Sequence, residues 1–216
     1  MELMENPLAV KSGDGIPIPI PQKPLGKALS DATEMWQTPV GMASYRKLNL
    51  GCGHDKREGY VNVDVNPTIE PDVRCDLFTL PWPLPDNTFH EVLCSHLLEH
   101  VPPPILIPWM DELWRVCAPH AIVEIRGPYW ASEKTWQDPT HFRGLCLPFF
   151  AYFSETGRAQ FGVDHYPIRA NFALEKTKFF LNPEWESSGD GAKAFAVKHY
   201  VNVVDELAVW LRAVKR

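Results

Sequence analysis

The stretch RKLNLGCGHDKREGYVNVDV, residues 46–65, narrows the fold more than any other part of the chain. RKLNLGCG reads as a short buried strand that stops on glycines, and GYVNVDV as a second strand that stops on an aspartate. Only six residues, His54 to Gly59, lie between the glycine turn and the second strand. A parallel crossover usually takes a dozen or more residues and a helix. The first crossover helix is therefore expected to be missing or reduced to a turn.

The pattern continues. DVRCDL is a third strand, also ending in an acid. TFHEVLCSH is a fourth, with Phe89, Val92 and Leu93 leading to a polar end. PWMDELWRVCAP carries Met110, Leu113, Trp114 and Cys117 at helical spacing, with Pro108 suited to the first helical position. HAIVEIRGPY is a fifth strand. Short apolar strands interleaved with helices imply an α/β fold, a mostly parallel sheet flanked by helices. Farther on, PFFAYFSETG reads as a helix and NFALEKTKFF as a strand. DELAVWLRAVKR fits either: Leu207, Val209 and Leu211 at strand spacing, or Leu207, Trp210, Leu211 and Val214 at helical spacing.

Residues 1–44 form a separate region. GDGIPIPIPQKP alternates proline with isoleucine, which favours extended polyproline II. LSDATEMWQTPVG is read as a short helix capped by Ser30 or Asp31. An arm lying across the domain is the simpler expectation, and a lid or an oligomerisation strap the sharper one. The remainder, 45–216, is read as one domain, which suits a chain of 216 residues.

Charge and cysteines limit the function. The formal net charge of −6 and a pI near 5.7 give no general attraction for phosphate backbones, so broad nucleic-acid binding is not expected. Cys52, Cys75, Cys94, Cys117 and Cys146 are odd in number, lie mostly in apolar runs and form no C-x-x-C pair. They are read as reduced, small hydrophobes in a cytoplasmic protein. No basic, then apolar, leader opens the chain, and no run nears the roughly 20 apolar residues of a bilayer span.

In an open parallel sheet, ligands bind beyond the carboxyl ends of the strands. Those ends here read Gly51-Cys52-Gly53, Asp64, Asp76 and Ser95-His96. Glycines let the backbone approach a ligand and leave amide N–H groups for an anion. An acid after the second strand can accept both ribose hydroxyls, and one after the third can accept from an exocyclic amine. The set describes a nucleoside with a charged tail.

With these residues in this order, LNLGCGHDKREGYVNVDV…DVRCDLFTLPWPLPDNTFHEVLCSHLLEH…ELWRVCAP resembles the class I S-adenosylmethionine-dependent methyltransferases, in particular their type-11-like branch, over about residues 46–155. The resemblance implies S-adenosyl-L-methionine as cofactor. It implies a cofactor-binding set of Leu50, Gly51, Cys52, Gly53, Asp64, Val65, Asp76, Leu77, Ser95 and His96. Gly51 to Gly53 would cradle the methionine part, and Asp64 the ribose. Asp76 with Leu77 would meet the adenine, and Ser95 with His96 would line the floor below the sulfonium. The family's Pro-Gly-Gly turn before the fifth strand is Pro119-His120-Ala121 here, and histidine accepts a left-handed conformation less readily than glycine. The short first crossover weakens any helix-dipole contribution at the carboxylate, where Lys56 or Arg57 would supply charge instead.

Other readings compete. CSHLLEHVPPP contains H-x-x-E-H, a zinc-peptidase pattern. It needs both histidines on one rigid helix, and Pro102 to Pro104 end any helix just after His100, so no metal site is expected. A nicotinamide site would need glycine where Lys56 stands, and a full crossover helix. If methyl transfer uses a base, the candidates are His100, His141 and, after them, Glu99. His141 in WQDPTHFRG faces the site or is a loop residue bonded to Asp138. Tyr129, Trp130 and Trp136 form an aromatic wall or pack in the core. Neither an N-P-P-Y stretch nor a Pro-Cys pair is present, which turns the reading from DNA bases to a small-molecule, lipid or sugar acceptor. The alternative is a cofactor-binding or structural module without activity.

Overall fold

The computed structural model describes residues 46–215, so the proline-rich arm and the short helix expected within it lie outside the described residues. Five short strands come first in register: β1 (Arg46–Leu50), β2 (Tyr60–Asp64), β3 (Val73–Arg74), β4 (Phe89–Ser95) and β5 (Cys117–Pro128), with helix α1 (Leu106–Val116) between the last two. Then follow α2 (Leu147–Ala151), α3 (Glu155–Phe161), β6 (Phe172–Leu181), α4 (Pro183–Glu186), α5 (Asp190–His199) and β7 (Val204–Ala213). They build one seven-stranded sheet in the order β3-β2-β1-β4-β5-β7-β6. The first five strands are parallel, and β7 runs antiparallel to both β5 and β6. The direction of winding reverses between β1 and β4, which makes their carboxyl ends the switch point of the sheet.

One face of the sheet is apolar by simple alternation. Leu48, Val61, Val92 and Val123 lie in one row across four strands, and Leu50, Val63, Cys94 and Ile125 in the next. With Trp109, Met110, Leu113 and Val116 of α1 they belong to one core, in which each fully buried aliphatic side chain contributes about 1.5–3 kcal/mol. The two-fold period also decides the ambiguous tail. Leu207, Val209 and Leu211 are buried in β7, so strand spacing wins over helical spacing.

The opposite face is polar, and it explains how the chain dispenses with a first crossover helix. Residues 51–59 form turns only, as the short spacing requires. Asn49 and Asn62, neighbours in register, are buried there. Asn49 donates to the Asp55 carbonyl (2.8 Å) and to Asn62 Oδ1 (3.1 Å). Asn62 Oδ1 also accepts from the Arg57 N–H (2.8 Å), and Asn62 Nδ2 donates to Asp72 (2.9 Å). Two asparagines thus tie the loop to the sheet by hydrogen bonds, in place of the apolar face of a helix.

Three local expectations need correction. Helix α1 begins at Leu106, so Pro108 stands in its first turn rather than at its first position; its missing N–H lies among those that have no intrahelical partner. Cys117 and Ala118 belong to β5. The single helix expected over PFFAYFSETG is two: Ser154 leaves the helical conformation and its side chain accepts from the Gly157 N–H (3.2 Å), starting α3 anew.

His120 does take the left-handed conformation that its turn demands, with φ of 64°, and it is exposed. A Cβ in that region costs about 1–2 kcal/mol, partly offset by the greater freedom glycine loses on folding. His120→Gly should therefore raise stability by about 0.5–1 kcal/mol in denaturant unfolding. A loss of stability would mean that the imidazole itself holds the turn.

Candidate functional site

The glycine turn follows β1. Gly51 and Gly53 have φ of 62° and 48°, conformations that suit glycine. A Cβ on Gly51 would lie 3.2 Å from Leu97, so the turn and the loop after β4 touch at that point; a Cβ on Gly53 would meet nothing within 4 Å. Gly53 N–H donates to Asp64 Oδ2 (2.9 Å), and Asn66 N–H to Asp64 Oδ1 (2.8 Å). Asp64 at the end of β2 therefore braces both turns. A carboxylate offers about four lone-pair sites, so two remain for a diol. Val65 beside it is exposed, an apolar side chain on the ligand edge.

Asp76 is exposed and accepts from Phe78 N–H (2.9 Å) and Thr79 Oγ1 (2.9 Å), which orders the turn after β3. Leu50 and Leu77 have buried side chains, so at this edge only their backbone is available. The buried thiols are inert: desolvation pushes Cys75 and Cys117 up to about 12.

Beyond β4 stands a charged chain of which the sequence singled out only His96 and Glu99. His96 has φ of 52°, its N–H donates to the Arg126 carbonyl (2.8 Å), and its ring lies 3.4 Å from Glu99 and 3.7 Å from Glu206. Glu206 also pairs with Arg126 (2.5 Å). The neighbouring carboxylates of Glu206 and then Glu99 push His96 up to about 9, and the same contact with His96, reinforced by Arg126, takes Glu206 down to about 2. His96 and Arg126 thus both face Glu206 at the end of the sheet. Arg126 was visible as a charge inside the apolar run of the fifth strand. Glu206 was not, because its partner strand is 80 residues away.

The H-x-x-E-H pattern dissolves in three dimensions. His96 follows the last residue of β4, and His100 closes a single 3-10 turn, Leu98–His100, so no helix carries both. His100 instead meets His141, their rings 4.6 Å apart at 73°. Three bonds join the two segments: Phe142 N–H to the Glu99 carbonyl (2.8 Å), and Arg143 Nη1 to the carbonyls of Leu98 (2.8 Å) and Val101 (2.6 Å). His141 Nδ1 lies 2.9 Å from the Thr135 carbonyl, whereas its Nε2 is 3.8 Å from Asp138, too long for a hydrogen bond. Of the three aromatic candidates, Trp130 and Trp136 are 53% and 71% exposed, so neither is core; Tyr129 packs against Phe179.

No family model and no curated protein matches the chain. Among solved structures it is similar to a SAM-dependent methyltransferase from Archaeoglobus fulgidus, with 18% identity and a TM-score of 0.52 over 79% of this chain and 87% of that one. It is also similar to an S-adenosylmethionine-dependent methyltransferase from Mesorhizobium loti, with 14% identity and a TM-score of 0.48 over 87% and 98%. By its sheet and by the first of these likenesses, the chain has the Rossmann-like fold of the class I S-adenosylmethionine-dependent methyltransferases.

Proposed function

We propose that the protein is an S-adenosylmethionine-dependent methyltransferase acting on a small-molecule, lipid or sugar acceptor. The observation that carries this reading is the joining of Gly53 to Asp64 at the carboxyl edge, next to the switch point of the sheet. The residues fit the cofactor: a glycine turn open at Gly53, an aspartate with unused lone pairs, an ordered acidic turn at Asp76 and the apolar Val65. Among the described residues no helix is long and apolar enough to cross a membrane, and the reduced cysteines suit a cytoplasmic protein.

Gly51, Cys52 and Gly53 would hold the amino-acid end of the cofactor, Asp64 the ribose and Asp76 the adenine amine, while Ser95 and His96 form the floor. When bound, the cofactor supplies a methyl group on a cationic sulfur. The chain's own task is first to position: in-line placement is worth about 7–11 kcal/mol, against about 10²–10⁴-fold for a general base. His100 and His141 are the groups proposed to take a proton from the acceptor, at Nε2. Exposed Trp130 and Trp136 offer flat faces for a planar or cationic acceptor.

The test is an incubation of the full chain with S-adenosylmethionine and pooled alcohols, amines, sugars and lipids. Release of S-adenosylhomocysteine dependent on one pool is the expected result. Cofactor binding without release in any pool would favour a binding module over an enzyme.

A further inference from the structure

We infer that Glu99, His100 and His141 form a binding site for a divalent transition-metal cation of the zinc or iron(II) kind. The inference uses the two histidines proposed above as bases, but cation binding needs no cofactor, so its test can fail or succeed independently of methyl transfer. One donor atom from each of the three residues can be chosen so that all lie within 4.8 Å of one another. Around zinc, with bonds of about 2.0–2.1 Å, neighbouring donors lie about 3.3 Å apart, so small side-chain rotations close the set.

The hydrogen bonds fix both imidazoles in the tautomer that a metal requires. The Thr135 carbonyl can only accept, so His141 carries its proton on Nδ1 and keeps a lone pair on Nε2. Thr140 Oγ1 donates its one proton to Asp138 Oδ1 (2.6 Å), which also accepts from the Thr140 N–H (2.8 Å). Thr140 Oγ1 must then accept from His100 Nδ1 (3.0 Å), which leaves a lone pair on His100 Nε2 as well. A ring N–H directed at a carbonyl or hydroxyl is the outer support that metal-ligating histidines use.

Glu99 provides the second, independent observation. Its side chain is wholly buried, yet neither carboxylate oxygen has a hydrogen-bond partner. His96 approaches one oxygen at 3.4 Å without making such a bond. A buried carboxylate that has the His96 ion-pair contact but no hydrogen bond remains costly, and a coordinated metal cation would complete its partners. Gly127 makes the room: a Cβ there would lie 3.0 Å from Glu99 Oε2. Two imidazoles and one carboxylate, with coordination positions left open, suit zinc or iron(II) rather than calcium or magnesium, which take oxygen ligands. The ligands come from the loops after β4 and β5, which places the cation at the ligand edge of the sheet. With it bound, the two Nε2 atoms hold metal in place of a proton, and an acceptor hydroxyl on an open position would ionise more readily.

Chelator-treated full chain titrated with cobalt(II), then zinc, tests the site. We expect one cobalt per chain with visible d–d absorption, displaced by zinc. His100→Ala and His141→Ala should each weaken zinc binding at least about 100-fold, and Thr140→Val about tenfold through the lost outer support. Glu99→Gln should do the same as the histidine changes, and the exposed-loop control His165→Ala should change nothing. Loss of affinity in a histidine variant that keeps the native circular dichroism separates a missing ligand from a failure to fold. Absence of cobalt absorption, or zinc binding that survives both histidine changes, overturns the proposal.

Discussion

Asp64→Ala should abolish most cofactor affinity. The carboxylate holds the Gly53 and Asn66 amides at 2.9 and 2.8 Å, and on the proposed reading it also accepts the ribose hydroxyls. Hydrogen bonds to a charged group are worth about 1.5–3 kcal/mol each. Losing a diol contact and the bracing of the glycine turn together should lower S-adenosylhomocysteine affinity by at least about 100-fold, since each 1.4 kcal/mol is tenfold. The fold should persist, because Asp64 is only half-buried and outside the apolar core. Unchanged affinity in calorimetry would remove Asp64 from the site.

Gly51→Val should also weaken the cofactor site, less than Asp64→Ala and for a different reason. Its φ of 62° makes any Cβ costly by about 1–2 kcal/mol, and a branched side chain fits that region worst. The new Cβ would also lie 3.2 Å from the Leu97 methyls. The turn must shift, carrying Gly53 away from Asp64, and affinity should fall at least about tenfold, a loss comparable to the strain. Gly53→Ala, whose Cβ meets nothing within 4 Å, should cost less. Equal effects from the two would show that contact with Leu97 is not what fixes the turn.

Much of the frame was legible in local sequence because parallel strands announce themselves one at a time. Leu48 and Leu50, Val61 and Val63, Val92 and Cys94, and Val123 and Ile125 each mark the apolar face, and in β1, β2 and β4 the residue after the run marks the ligand end. The absent crossover helix followed from chain length alone. The tail was less legible, since Leu207 and Leu211 satisfy both periods, and only pairing with β5 and β6 chose the strand.

The site divides in the same way. The glycine turn and Asp64 are near in sequence, and their hydrogen bond agrees with the spacing. The grouping of Glu99 and His100 with His141, and of His96 with Glu206, depends on chain segments that meet only after the sheet has closed. His96 and His100 sit four apart in the sequence. The fold separates that pair and joins His100 to a histidine that no local pattern linked to it.

Calorimetric titration of the full chain with S-adenosylhomocysteine, against NAD as the competing dinucleotide, tests the adenosyl-sulfonium site most directly. Saturable binding of one S-adenosylhomocysteine per chain, lost in Asp64→Ala, with no heat from NAD, is the result expected here. Tight NAD binding with no response to S-adenosylhomocysteine would contradict it.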